Sequence, residues 1–519
     1  MSVRLSASLA VALASSAWPP PVSGAPASGW SPPRLLSACA VGHRPQVVFP
    51  SESPSVATGP GAIVWAEDPT CRAGSQSASA RTPELSVASL EPRDRAGGVN
   101  RQTPAGWEAS GLDAAGASKG RIAVALALRA PGAPVGEAVT VLQGRATGAL
   151  GEAKMLTGTA GRPSLAHAYL GDAAVASVEL RPRPAIAVSV ERFFRSGFGR
   201  VRLIPIPDGG VSALTATMDY RSDVLVAWQQ NGAIYAHMLR ASGRPEPTQR
   251  VGPGSPESRL QVLVSDNDHG MIAWSSHAPG PSSTTTVMLA LSGGGVRFDR
   301  RRMLASFPDP TGAAAAAGAL ALVRLSSENV MLAWTEADRG RLSVRAAPAV
   351  FAGTQPSVQL SDPAREAVLA ALAAGPAGEA VALWRSVTPG PAGFDGSRGE
   401  LWAARAFIER HGRVGFRPAE RVAPSGASSQ VGAAIDPASD RPVAVWLLAG
   451  GRALEYSTGP SAPGYRAGSP AAAVTPGAAH DLRTALIAAA AVAILAVIGL
   501  AARRRSAASP AGRGSRRRG

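Results

Sequence analysis

The chain has 519 residues, 45% hydrophobic and 17% charged, a balance that excludes a disordered polymer and leaves apolar surface for one large folded domain with appendages. Its formal charge is +16, but lysine occurs only at Lys119 and Lys154, and seven of the arginines crowd into the last 17 residues, leaving +9 for everything before them. Those earlier arginines are not interleaved with aromatic side chains, which excludes the groove of a nucleic-acid binder.

Residues 1–25 combine Arg4, an apolar segment from Leu5 to Ala14 and small residues at Ser23-Gly24-Ala25. This is the anatomy of a secretory signal peptide, and the apolar part is too short to span a bilayer. A Pro/Ser-rich lead-in is expected over 26–38, followed by a β domain over 39–458. Gln46-Val47-Val48-Phe49 and Ser55-Val56-Ala57 read as strands ahead of the first of several similar units. Cys39 and Cys71, the only cysteines, flank that unit. An exported chain matures where disulfides persist, so a Cys39–Cys71 bridge is expected. From Arg72 to Lys119 the pattern weakens, Leu85 to Leu90 is the only fair strand, and a loose excursion is expected.

The rest of the domain is organised by one recurring stretch. Val224-Leu225-Val226-Ala227-Trp228 returns as Ala62-Ile63-Val64-Trp65, Met271-Ile272-Ala273-Trp274, Val330-Met331-Leu332-Ala333-Trp334, Val381-Ala382-Leu383-Trp384 and Val443-Ala444-Val445-Trp446. A short apolar run bounded by turn residues reads as a strand buried on both faces. Alternation puts Val224, Val226 and Trp228 on one face and Leu225 and Ala227 on the other. A tight-turn residue stands upstream each time: Gly61, Asp223, Gly270, Asn329, Gly378 with Glu379, and Asp440. An alternating segment such as Ile234 to Met238 or Leu401 to Arg405 follows, which makes a repeated hairpin. The last five tryptophans of the motif are 46 to 62 residues apart, a propeller or solenoid spacing. Trp65 to Trp228 spans 163 residues, and two worn copies, with Leu126 and Ser177 at the Trp position, divide it. The count is then eight units of roughly 54 residues, room for four short strands each, or seven if one hairpin is an insertion.

On these motifs the chain resembles the secreted β-propeller repeat proteins of high-G+C bacteria, whose units carry a Val-Ala-Trp strand, a hairpin and a short strand like Leu401-Trp402-Ala403-Ala404-Arg405. The resemblance covers most of residues 40–458. It implies an all-β propeller of seven or eight four-stranded blades and says little of function, because propellers host binders and enzymes alike. The final unit runs into Pro/Gly-rich chain before two more strands can form. The strands at Gln46 to Phe49 and Ser55 to Ala57 are therefore expected to complete the blade begun at Trp446 and so close the ring.

Residues 459–483 read as a Pro/Gly/Ala linker. Thr484 to Ala502 is an uncharged apolar run of 19 residues, about 28 Å long as a helix, enough to cross a bilayer. Arg503, Arg504 and Arg505 follow, and the tail 503–519 is expected in the cytoplasm by the positive-inside rule. Ala485, Ala489 and Ala493 form a small-residue stripe in a chain where alanine is everywhere.

No motif carries a clear chemistry. Gly116-Ala117-Ser118-Lys119-Gly120 has the spacing of a hydrolase nucleophile elbow, but that elbow needs a strand before it and a helix after it, and here a Gly/Ala loop is expected before and a strand after. Asp266-Asn267-Asp268-His269-Gly270 starts like a calcium loop, yet has His at the fifth position and no acid at the bidentate one. It also misses the spacing of a sialidase Asp box by one residue. The seven histidines, at 43, 167, 237, 269, 277, 411 and 480, show no metal-ligand spacing. Glu67 with Asp68, and Glu400 with Glu409, sit on hairpins without anything to bring them to glycosidase distance. The expectation is a membrane-anchored extracellular binding or scaffold module for a glycan or protein, without catalytic residue, metal or cofactor. The alternatives are an extracellular glycan hydrolase or lyase on the same fold, and a signalling receptor acting through a partner.

Overall fold

In a computed structural model the described residues run from Gly29 to Ser461, apart from short internal stretches of which 72–83, 131–137 and 388–398 are the longest. Among them the secondary structure is β, arranged as eight antiparallel units and one small hairpin, Ser51–Ser53 with Val56–Ala57; six units are four-stranded, the outer position of the sixth is split between Gly353–Thr354 and Val358–Gln359, and the seventh carries an extra short strand, Val414–Phe416. The first six units are separate sheets. The last two are joined by one 17-residue strand, Glu420–Asp436, which is the outer strand of the seventh unit and then the inner strand of the eighth. Gly426, with φ of 83°, stands where that strand changes partners and supplies a backbone conformation that other residues adopt at a cost.

Every unit is built the same way. Its inner strand is Gln46–Val48, Glu108–Gly116, Thr159–His167, Val211–Met218, Leu260–Val264, Leu320–Arg324, Glu366–Ala374 or the second half of Glu420–Asp436. The repeated apolar run is the second strand, hydrogen-bonded on both sides, and the third and outer strands follow. The worn copies take their expected places, with Leu126 in Arg121–Arg129 and Ser177 in Ala173–Glu179. Each inner strand lies against the inner strand of the next unit, and the eighth lies against the first. Eight apolar clusters fill the spaces between successive units, including one that joins Val47, Ile63 and Trp65 to Val443, Val445 and Tyr456 across the seam. The fold is a β-propeller.

The tryptophan of each unit faces the preceding unit. Trp228 shares a cluster with Val224, Val226, Ile186 and Val188, while Leu225 and Ala227 face forward with Trp274. The alternation read from the sequence is therefore the alternation between two interfaces. All six tryptophans of the motif are at most 1% exposed, which makes them packing residues.

Two readings are corrected. The segment from 72 to 119 contains Glu84–Glu91, Arg95–Gln102 and Glu108–Gly116, so the first sheet and the second inner strand occupy most of what looked like an excursion. Arg95–Gln102 is an outer edge strand, which carries few apolar residues because its edge faces solvent. Glu108–Gly116 is small and polar because inner strands crowd the axis. The ring is also fastened by a different strand. Arg34–Ser37, within the lead-in, pairs with Leu454–Thr458. Gln46–Val48 pairs with Ala62–Val64 as the first unit's own inner strand, and Val56–Ala57 pairs only with the small hairpin. Each unit needs an inner strand upstream of its Trp strand, so Gln46–Val48 was already committed.

Cys39 and Cys71 are bonded, with Cα atoms 5.6 Å apart. The bridge fastens the chain just after the closing strand to the first unit. Closing a loop of this length contributes about 3 to 4 kcal/mol in the chain-entropy model, so Cys39→Ala/Cys71→Ala should lose that much in denaturant unfolding, and two reactive thiols in the native protein would contradict the bridge. No helix among the described residues is long and apolar enough to cross a membrane. The signal-like start, the linker beyond Ser461, Thr484 to Ala502 and the Arg-rich tail lie outside the described residues.

Candidate binding site at the axial mouth

Because each unit is entered from the outer strand of the one before, all inner strands begin at the same end of the ring. At that end five of them are bulged: the register slips between Ala109 and Gly111, Ala160 and Ser164, Val211 and Ala213, Leu369 and Ala371, and Ala427 and Val431. A bulge lifts residues out of the ladder and re-aims them. The lifted residues include Ser110, Arg162, Ser212, Ala370 and Gln430.

Arg44, two residues before the first inner strand, shows where the axis lies. Its Nε donates to the carbonyl of Val431 at 2.6 Å and its Nη2 to that of Ala370 at 3.3 Å, on the eighth and seventh inner strands. It also feels the charges of Asp113 and Arg162, on the second and third. A side chain in reach of the inner strands of four other units stands on the axis. Gly432 makes room for this entry, since a β-carbon there would collide with the carbonyl of Pro45.

Burial and then the Arg162 charge push the Arg44 guanidinium down to about 10. Asp113 is pushed up, by burial first, against the pull of two backbone N–H groups and both arginines. Its Oδ1 accepts from Ala114 N at 3.1 Å and its Oδ2 from Leu165 N at 2.8 Å. Burial holds the neighbouring His43 below its ordinary value, and Arg162 adds to this. Arg44 and Asp113 are ringed by protein yet still touched by solvent, as groups in a narrow axial passage are. Arg162 is exposed. The mouth is therefore lined by two guanidinium groups, one carboxyl and a histidine held toward its neutral form.

The other end of the ring carries the tight turns. The same five-residue turn, with the first N–H donating to the fifth carbonyl, recurs at Ala168–Asp172, Asp219–Asp223, Ser265–His269, Leu325–Asn329 and Gly375–Glu379. Between the last two units Arg405 Nη2 lies 2.7 Å from Asp440 Oδ2 and 4.0 Å from Glu379 Oε1. Burial, and then the Asp440 carboxyl, push Glu379 up to about 8 in spite of Arg405, which is committed to Asp440. No donor from elsewhere reaches either Glu379 oxygen among the described residues, which favours the protonated form of the Glu379 carboxyl.

A carboxyl whose pKa rises on folding holds a proton the unfolded chain has released, so stability falls as pH rises from about 4.5 toward about 8. His167, pushed down to about 4 by burial, acts oppositely, but only up to its unfolded value of 6.5. Between pH 6.5 and 8 the Glu379 contribution should therefore remain, with stability falling about 1.4 kcal/mol per pH unit. Glu379→Gln should flatten that slope; an unchanged slope in its urea titrations would show that Glu379 is already ionised.

The sequence candidates fall elsewhere. Glu67 accepts from Ser37 Oγ at 2.7 Å and Ser86 Oγ at 2.6 Å, a buried joint between the closing strand and the first sheet. Glu400 is held by Arg365 at 2.5 Å, Arg421 at 3.5 Å and Trp402 Nε1 at 3.0 Å. Gly116 ends a strand, where a loop was expected, and Gly120 precedes another strand where an elbow needs a helix; Ala117, Ser118 and Lys119 lie outside the described residues. Asp266 to Asp268, Glu409, His411 and His480 lie outside the described residues. One grouping was not read from sequence: Ser283 Oγ lies 3.2 Å from His277 Nε2, and His277 Nδ1 lies 3.0 Å from Thr285 Oγ1, which donates to Asp309 at 2.9 Å. Ser283 is 5% exposed and also donates to the Asp309 carbonyl. That places it in a hairpin lock, closed to substrate.

No protein-family model and no curated protein matches the chain. Among solved structures it is similar to a puromycin hydrolase, at 12% identity over 86% of this chain and 63% of that one, TM-score 0.39. It is also similar to the β-propeller domain of the Trilobed protease from Pyrococcus furiosus, at 8% identity over 72% of this chain and 97% of that domain, TM-score 0.36. The NanB sialidase from Streptococcus pneumoniae aligns at 8% identity over 82% of this chain and 69% of its own, TM-score 0.36. Likenesses this distant carry no activity to this chain.

Proposed function

We propose that the chain is a closed eight-bladed β-propeller, held at the outer face of a cell membrane by Thr484 to Ala502, that binds a glycan or protein ligand at its axial mouth. The observation that carries this reading is the convergence at one mouth of polar groups from several units, with Arg162 lifted from its inner strand by a bulge and Arg44 reaching in from just ahead of the first. Rigid strands present them, which suits recognition. Among the described residues, the groups acting on Asp113 include no second carboxylate. Glycoside hydrolysis needs two, about 5 to 10 Å apart, so binding is favoured over hydrolysis.

Two measurements test the reading. Protease added to intact cells should remove the propeller and spare residues 503–519, and attack on the tail instead would reverse the topology. The full chain on glycan and extracellular-protein arrays should retain a ligand that Ser110→Trp, a bulky change at an exposed mouth position, displaces. Retention unaffected by that change would move the site away from the mouth.

A further inference from the structure

We propose that the axial mouth receives a carboxylate and that Arg162 is the residue that takes it. This rests on the mouth being the binding site and names the chemistry it selects.

The two arginines at the mouth are not equivalent. Arg44 is a structural plug, with Nε and Nη2 given to the carbonyls of Val431 and Ala370. Arg162 makes no hydrogen bond or ion pair with another described residue and is exposed. Asp113 makes no ion pair with it among the described residues and acts on it through charge alone; its two oxygens accept from the N–H groups of Ala114 and Leu165. With His43 held toward neutrality, two guanidinium groups face one carboxyl and the group is net positive, and the positive charge open to a ligand is the exposed Arg162 guanidinium.

The local sequence sets the backbone that carries that guanidinium. The bulge between Ala160 and Ser164 contains Gly161, with φ of 77°, then Arg162 and Pro163. Glycine supplies the left-handed backbone and proline fixes its own φ and offers no N–H to the ladder. The Arg162 stem crosses Gly111, whose added β-carbon would sit 3.6 Å from both Cα and Cγ of Arg162. The bulge thus sets where the Arg162 backbone and the start of its stem lie, and the two parallel N–H groups of its guanidinium match the two oxygens of a carboxylate. A phosphate dianion fits less well, because a single uncommitted guanidinium meets only one of its two negative charges.

The carboxylate could belong to a uronic-acid sugar or to an acidic peptide, and the test separates them. Binding of the detergent-solubilised full chain to a galacturonic acid trimer, its methyl ester, a tetra-aspartate peptide and tetra-asparagine would be measured by calorimetry at two salt concentrations. One of the charged probes should bind, at least about tenfold more tightly than its neutral counterpart and more weakly at high salt. Arg162→Gln should lose that tenfold with unchanged melting temperature, and Arg162→Lys should recover part of it. The proposal is overturned if neutral and charged probes bind alike, if Arg162→Gln binds as the parent does, if inorganic phosphate competes more strongly than acetate, or if neither charged probe binds. Neutral binding that Ser110→Trp abolishes would overturn the carboxylate and leave the mouth as the site. Binding indifferent to both changes would overturn the mouth as well.

Discussion

Deleting residues 29–38 should abolish cooperative melting of the whole β domain, whereas a chain ending at residue 462 should melt like the parent. The outer position of the eighth unit is filled by the far end of the polypeptide, with Arg34 opposite Tyr456 and Leu35 opposite Glu455. Ahead of that pairing, Ser31 N donates to Thr458 O at 2.8 Å and Ser457 Oγ donates to Ser31 O at 2.6 Å. Trp30, 7% exposed, packs in the cluster between the seventh and eighth units. Removing this segment loses a buried tryptophan, about 3 to 5 kcal/mol. It also deprives the buried Glu67 of its Ser37 partner, about 1 to 3 kcal/mol, and exposes an unpaired edge. The total approaches the ~5 to 15 kcal/mol that holds a typical domain folded. Circular dichroism would decide: a single transition near the parent temperature in the shortened chain would show that the ring does not depend on this strand.

That dependence was only half legible in the sequence. The surplus of strand-forming residues before Trp65 and their shortage after Tyr456 were both visible, and together they require that the two ends share a sheet. What could not be read was which N-terminal strand is used. Arg34-Leu35-Leu36-Ser37 is four residues long, sits among prolines and leaves Leu35 62% exposed, so nothing local marks it as a strand; its pairing is decided by the partner edge alone. The second strands were legible because burial on both faces demands continuous apolar runs, and the inner strands were not, because small and polar residues suit the crowded axis. The same difference hid the mouth. Arg162 and Asp113 lie on inner strands some fifty residues apart, and only ring closure brings them and Arg44 into one electrostatic group.

The tryptophans themselves provide the second large expected effect. Trp228→Ala, Trp274→Ala and Trp334→Ala should each cost about 3 to 5 kcal/mol, the range for truncating a fully buried large aromatic. Each fills the space between its own unit and the preceding one, and the neighbouring Ala and Val side chains are too short to collapse into the void. Conservative changes should separate packing from hydrogen bonding. Trp274 Nε1 donates to Pro253 O at 2.9 Å, whereas Trp446 Nε1 is buried without a partner among the described residues. Trp274→Phe should therefore cost about 1 to 2 kcal/mol more than Trp446→Phe, because it alone leaves a carbonyl unpaired. The third unit shows how the position is filled otherwise: Ser177 is fully buried, its hydroxyl unpartnered, in the space held by Val175, Leu165 and Val139. Ser177→Trp should destabilise by overpacking, and Ser177→Ala should stabilise slightly by removing the unpaired hydroxyl. Melting curves read all of these, and ligand binding should stay unchanged in every variant that remains folded. Lost binding with an unaltered melting temperature would place the tryptophans in a site instead of in the interfaces between units.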